Sequence, residues 1–402
     1  MVCYINHQCR GRKALEIQAN DLESIACLPY PIRHILYRQA YSQTHYESGM
    51  NKKTIIAICI AFINLIIIFV GYHIRPSTLN YDPALVKLDF TVPPNFPHPN
   101  TAFDQQQITP AGFQLGRLLF YDRVLSLNNS ISCASCHQAA AAFSDEKKML
   151  SQGMKQCTGT RNAPALFNLA WQKEFMWDGR IKELQLSSHN AITNPCEIAN
   201  SMAGAVDKLR SNSNYKDFFK AAFGSTAIDS TKVLNALAQF MTMLVSANSR
   251  YDKYTRHENG GIFTDTEKQG YTLFKKNCSV CHREPLFTDM SYRNNGLDLI
   301  SRDPGKSSWT HLATDIGEFR VPSLRNIEVT APYMHDGRLG TLEEVLDHYT
   351  EGIKQHSNLD GELQQNGKIG ITLSASERSK IIAFLKTLTD NDFLTDPRFQ
   401  RP

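Results

Sequence analysis

From residue 105 onward, apolar residues recur at the spacing of a buried helix face. Gln105 to Phe120 places Leu115, Leu118 and Leu119 on one side of a predicted helix. Ser230 to Tyr254 carries Val233, Leu237, Phe240, Met241 and Leu244 on one stripe, which predicts a single long helix. Three capping boxes, Thr264-x-x-Glu267, Thr341-x-x-Glu344 and Ser374-x-x-Glu377, mark further helix starts. The last opens a helix through Ile381, Ile382, Leu385 and Leu388. No long run alternates with the period of a strand, so the body is predicted to be mainly α. Stretches rich in Gly, Asn and Pro, such as 294–306, read as loops.

One segment departs from this amphipathic pattern. Thr54 to Tyr72 is uncharged, and Asn64 is its only strongly polar residue. A helix of that length rises about 28 Å, near the thickness of a bilayer core. Lys52 and Lys53 precede it. They favour a cytoplasmic N-terminus and an exported body, so 50–75 is predicted to be one transmembrane signal anchor in the inner membrane, with the catalytic domains in the periplasm. A cleaved signal peptide, which would free the body into the periplasm, is the competing reading. Residues 1–49 form an extension without an interpretable motif. Met50-Asn51-Lys52-Lys53 has the form of an initiator and basic region, so translation is expected to begin at Met50. Six prolines between Pro76 and Pro99 predict an extended tether over 76–100.

Composition narrows the class. Hydrophobic residues make up 42% and charged residues 20%, which suits a packed globular body. The net charge of +4 in 402 residues gives no support for a nucleic-acid partner. Ten cysteines are too few for a disulfide miniprotein, so their placement carries the information.

Four of them fall in two C-x-x-C-H segments, Cys133-Ala-Ser-Cys136-His137 and Cys278-Ser-Val-Cys281-His282. This is the c-type haem attachment motif. Two thiols at this spacing form thioethers to one porphyrin, and the adjacent His reaches its iron. Chance copies are expected about 0.008 times in such a chain. A redox dithiol does not need His after both pairs, and the pairs lie too far apart in sequence for an ordinary zinc site. The flanks repeat as well. Gly116-x-x-Leu119-Phe120 precedes the first motif and Ala142-Phe143-Ser144-Asp145 follows it. Gly270-x-x-Leu273-Phe274 and Leu286-Phe287-Thr288-Asp289 frame the second. Two cytochrome c-like haem domains packed against each other are therefore predicted, 101–255 and 256–402.

The body, roughly 105–390, resembles the bacterial di-haem cytochrome c peroxidases and their MauG-like relatives. The carrying segments are LGRLLFYDRVLS, ISCASCHQ, GTRNAPALFNLAW, FMWDGR, NPCEI, NCSVCH, FRVPSLRNIEVTAPYMHDGRLGTLEEVLDHY and IIAFLKTL. The resemblance implies a peroxide-reactive N-terminal haem and a C-terminal haem fed by a cytochrome c or cupredoxin. It implies Glu197 as the distal carboxylate that moves peroxide protons, and Trp177 as the relay between haems. It implies an inter-domain calcium site at Asn162, Thr330 and Pro332, whose oxygens suit a hard cation. It places His335 in the interhaem network. Family peroxidases are often dimers, so a homodimer is within its scope.

Two positions depart from the commonest peroxidase pattern. Many members carry a distal His seven residues before the Arg-Asn-Ala-Pro motif, where this chain has Met154. The N-terminal haem is therefore expected to be five-coordinate, with Met154 as the alternative ligand. For the C-terminal haem, peroxidases commonly place Met fourteen residues after the His of the YxHxG segment. This chain has Tyr349 there, as MauG-like proteins do, and Met334 is the other candidate ligand. Leu342, Val345, Leu346 and Tyr349 share one helical stripe, which turns Tyr349 inward and His348 away. Cys157 and Cys196 are expected to lie near the distal pocket, as a disulfide or as two thiols.

The leading expectation is a di-haem peroxidase that reduces hydrogen peroxide to water. A MauG-like oxidase of a protein side chain is the runner-up. A membrane-tethered electron carrier is the third, and Glu197 argues against it.

Overall fold

The computed structural model describes residues 90–100, 108–365 and 367–402. The predicted anchor, the 1–49 extension and the first part of the tether lie outside these residues. Among the described residues no helix is long and apolar enough to cross a membrane.

Helix α1, Pro110–Tyr121, starts where Thr109 accepts a hydrogen bond from Gly112 N and Pro110 takes the first turn. Helices α2 (Leu184–Thr193), α3 (Met202–Ser211), α4 (Ser213–Phe223) and α5 (Ser230–Thr242) complete the first half. The stripe of α5 continues in sequence, but the helix does not. Asn168 enters the segment after it, donating from Nδ2 to Ser246 O and accepting from Ser246 N. Those bonds replace the helical ladder, and Ser249 restarts the chain as α6, Arg250–Thr255, through a capping box with Asp252. The predicted single helix over 230–254 is thus two, because a buried side chain serves the backbone between them.

The second half contains α7 (Asp265–Asn277), the short α8 (Ser307–Thr310), α9 (Leu342–Asp347), α10 (Ala375–Lys386) and α11 (Asn391–Thr395). All three predicted capping boxes are present, at the starts of α7, α9 and α10. The β structure among the described residues is slight. Strand β1 (Tyr292–Arg293) pairs antiparallel with β2 (Phe319–Arg320), and β3 (Gln364–Gln365) with β4 (Lys368–Ile369).

Two hydrophobic cores result. The first gathers Phe113, Leu119, Phe143, Phe219 and Phe240, and the second Phe274, Phe287, Ile381 and Phe384. The repeated glycines serve the same purpose in each. A Cβ on Gly116 would lie 1.9 Å from Ala236 O, and one on Gly270 would lie 1.9 Å from Lys380 O. Each glycine lets two helices touch backbone to backbone, α1 on α5 and α7 on α10.

Two boundaries differ from the sequence reading. Residues 90–100 do not hang free as a tether. Phe96 packs edge-on against Trp171 at 5.0 Å, and Trp171 Nε1 donates to Pro97 O. At the other end, the chain returns to the first core, which takes in Phe393 and Phe399. Arg117 fastens that tail by donating to Gln400 O and Pro397 O.

The internal repeat is longer than the haem motifs suggested. Asn168-to-Arg180 and Asn326-to-Arg338 align at a constant offset of 158 residues. Asn168 and Asn326 are both buried and both left-handed, at φ 55° and 57°. Met176 and Met334 share φ near +70°, as do Gly179 and Gly337. Phe175 bridges Ile181 as Tyr333 bridges Leu339. Both asparagines reach Ser246, Asn326 through Ser246 Oγ at 3.0 Å.

Candidate active site

Each C-x-x-C-H segment forms one tight turn. His137 N donates to Cys133 O at 3.0 Å, and His282 N to Cys278 O at 2.9 Å. Each imidazole is then oriented from behind. His137 Nδ1 donates to Phe143 O at 2.7 Å, and His282 Nδ1 faces Phe287 O at 3.1 Å and Pro322 O at 3.2 Å. That fixes the tautomer and leaves Nε2 as the free ligand atom. Among the described cysteines, the four motif thiols are the unpaired ones. Burial pushes the Cys133 and Cys278 thiols up to about 12, and Cys281 up to about 11.

The residues present fit a haem group. A cavity beside the second motif is lined by Cys278, Cys281 and His282, with Phe274, Leu346 and Leu385 as apolar walls. Arg320 also lines it, and its guanidinium donates to neutral oxygens, Gln172 Oε1 and Glu174 O. Burial lowers its pKa. A carboxylate on a ligand would find there a positive charge whose hydrogen bonds go to neutral oxygens.

The N-terminal site is organised around Glu197. Burial raises its pKa, opposed by a hydrogen bond from Asn194 Nδ2 to Oε1 at 2.7 Å. Its carboxylate is near enough to Cys133 and Cys136 to add to the upward push that burial gives both thiols. The backbone beside it is clamped. Met154 N donates to Glu197 O at 3.0 Å, and Cys157 and Cys196 are joined as a disulfide. Met154 is buried, and its Sδ accepts from Ser130 Oγ at 3.3 Å.

Trp177 lines the same cavity as His282. Its Nε1 donates to Asn162 O at 2.8 Å. His335 is stacked on Phe319, with ring centroids 3.7 Å apart. Arg161 ties the two halves by donating to Asp178 at 2.5 Å and to Asp303 at 2.7 and 2.8 Å. The sequence reading had no role for Arg161 or Asp303. Only the separation of 142 residues hides the pair.

Tyr349 and Met334 both line the cavity beside the second motif, and one residue touches both. Asn295 Nδ2 donates to Met334 Sδ at 3.3 Å, and its side chain hydrogen-bonds Tyr349. The stripe read from the sequence holds: Leu342, Val345, Leu346 and Tyr349 all face the cavity. His348 turns away, its Nε2 donating to Asn295 O at 3.0 Å. What the sequence did not reveal is that α9 loosens into a π-helical turn, His348–Gly352, at this point. Asn162, Thr330 and Pro332 also line this cavity. Asn162 Nδ2 donates to Lys148 O and Met149 O at 3.1 Å. Among the described residues no cluster of three or more His, Cys, Asp or Glu is arranged to hold a metal ion.

Comparison with known proteins agrees with this arrangement. Residues 110–260 match the family model described as di-haem cytochrome c peroxidase. The chain is 35% identical over 318 residues to the methylamine utilization protein MauG of Methylorubrum extorquens, covering 76% of this chain and 85% of that protein. It is 35% identical over 294 residues to the cytochrome c551 peroxidase of Nitrosomonas europaea, covering 72% and 82%. A crystal structure of a MauG-like protein associated with microbial copper homeostasis superposes with a TM-score of 0.70 at 32% identity, over 78% of this chain and 99% of that one. The relatives carry both names, and the paired attachment motifs and the mainly helical fold lead to one conclusion: this chain belongs to the di-haem cytochrome c peroxidase and MauG family, whose members hold two haem c groups.

Proposed function

We propose that this protein reduces hydrogen peroxide to water, with electrons from a small redox protein such as a cytochrome c or a cupredoxin. The observation that carries the reading is Glu197, a carboxyl raised by burial beside the first attachment motif. Bound haem iron supplies the redox centre for cleavage of the peroxide O–O bond. Glu197 moves the proton. As a carboxylate it accepts one from the near peroxide oxygen, and as an acid it returns it to the departing oxygen, which leaves as water. Asn194 holds Oε1, so Oε2 is the atom that carries the proton. Trp177 would pass electrons between the two sites, and its polarizable ring in the lining of the cavity beside His282 supports that role.

A second reading is favoured by Tyr349. It lines the C-terminal cavity where the commoner peroxidase pattern has Met, and that supports a MauG-like oxidation of a protein side chain. Steady-state turnover of peroxide with reduced cytochrome c separates the two. Fast turnover that is lost in Glu197→Gln supports the peroxidase. Slow turnover with a long-lived two-electron-oxidised form supports the oxidase, and no reaction with peroxide supports a bare electron carrier.

Three companions belong to the same proposal. Calcium would bind between the halves through Asn162, Thr330 and Pro332. The body would work on the exported side of the membrane, held by the 50–75 segment, and the Cys157–Cys196 disulfide supports an oxidising compartment. A homodimer would be the working state.

A further inference from the structure

The extended repeat assigns a residue the motifs do not. The offset of 158 that pairs Asn168 with Asn326 holds without a break through the DGR turns and into the helices behind them. Helix α2 begins at Leu184 and α9 at Leu342, each four residues past its arginine. Leu184 and Leu342 are both buried. Carried forward one more stretch, the same register pairs Ala191 with Tyr349.

We propose that Ala191 is what leaves the N-terminal haem with an open coordination position, as the truncated counterpart of Tyr349. The inference rests on the reading of the His137 haem as the peroxide-reactive one. In the second half, the eighth position of the helix carries a long side chain whose phenol reaches the cavity beside His282. In the first half that position ends at a methyl group. The two helices also finish differently. The second loosens into the π turn that contains Tyr349, whereas α2 stops at Thr193 and the chain folds back on itself. Ile198 N donates to Ala191 O at 3.2 Å, so the returning strand brings Glu197 alongside the shortened position. With Tyr349 taken as the ligand of the His282 haem, an acid–base carboxyl thus occupies the region that the ligand would serve in the other half. The other candidate ligand, Met154, is restrained in a loop that the Cys157–Cys196 disulfide and the Met154 N to Glu197 O bond hold in place.

The test uses the oxidised holoprotein and cyanide as the probe. Wild type is expected to bind one cyanide rapidly, Ala191→Tyr none rapidly, and Tyr349→Ala two. Resonance Raman should find the bands of an iron-bound tyrosinate in wild type, additional intensity in Ala191→Tyr, and no additional intensity in Ala191→Phe, which has the same bulk without the oxygen. Rapid binding of one cyanide by Ala191→Tyr with unchanged Raman bands would overturn the proposal. So would a single cyanide in Tyr349→Ala, which decides the matter even if Ala191→Tyr does not fold. If these spectra come out as expected but wild type does not turn over peroxide, the peroxidase reading fails and the role of Ala191 stands.

Discussion

Trp177 and His335 are the same position of the internal repeat, and each is held by the other half through the same bond. Asn162 N donates to His335 O at 2.8 Å, and Arg320 N donates to Trp177 O at 2.8 Å. Asn162 and Arg320 are themselves repeat partners, 158 residues apart. The two repeat segments are therefore joined by a reciprocal, pseudo-twofold pair of bonds. The shared position has since diverged, to an indole in one segment and an imidazole in the other.

Replacing Glu197 with Gln removes the proposed proton carrier and keeps the shape. Peroxide turnover is expected to fall by about 10²–10⁴-fold. The pH profile of kcat/KM adds a sign. Burial raises the Glu197 pKa, so the carboxylate form is lost at a higher pH than for an ordinary glutamate of about 4.3. Activity should fall as pH drops through that raised value, and the acid limb should vanish in Glu197→Gln.

Trp177→Phe retains a ring in the cavity lining and deletes the donor to Asn162 O. A stability loss of about 0.5–1.5 kcal/mol is expected. Stopped-flow absorption after peroxide addition should find the His282 haem oxidised more slowly than in wild type, with the first reaction at the His137 haem unchanged.

The Cys157–Cys196 disulfide closes a loop with a sequence separation of 39. By loop-closure entropy its removal should cost about 4 kcal/mol. Cys157→Ala/Cys196→Ala should also blur the Glu197 acid limb, because the clamp beside that carboxyl is lost. Denaturant unfolding and the pH profile check the two effects separately.

Arg325 and Asp252 form a pair with no solvent exposure on either side chain, at 2.7 and 2.8 Å. Arg325→Met leaves a buried carboxylate with hydrogen bonds from Ser249 and Asn95 but no opposite charge, and should cost about 3–5 kcal/mol in unfolding free energy. Burial by itself would raise the Asp252 pKa, but hydrogen bonds and charge from Arg325 outweigh it and hold the carboxyl below its ordinary range. The stabilisation is therefore complete above the unfolded value of about 3.9 and is lost as pH falls through the lower folded value. In Arg325→Met that acid-dependent loss should disappear.

Gly116→Ala places a methyl group against Ala236 O. Separating α1 from α5 to admit it should cost about 1–3 kcal/mol. Thermal unfolding of the holoprotein measures it, and Gly270→Ala should behave alike in the second half.

Much of this was legible in the residues. The haem motifs fixed four thiols and two ligands, and the capping boxes located three helix starts. The stripe through Leu342, Leu346 and Tyr349 pointed the phenol inward. What stayed hidden depends on partners far away in sequence. The break after Thr242 is made by Asn168, and no local pattern in 243–249 announces it. The capping box at Ser249 uses Asp252, outside the Glu/Gln template. Arg161 with Asp303 and Asn295 with Met334 are pairings of ordinary loop residues. The second repeat block was readable in principle, as FMWDGR against YMHDGR, but its glycine and left-handed methionine become persuasive only with their dihedral angles.

The return of Phe393 and Phe399 to the first core has a consequence for biogenesis. A chain made from its N-terminus presents the Cys133–His137 segment long before residue 399 exists. Until then the first core lacks two of its aromatic rings. The N-terminal attachment site is therefore made well before the core behind it has all its aromatic rings, and Phe393 and Phe399 complete that core from the far side of the second motif.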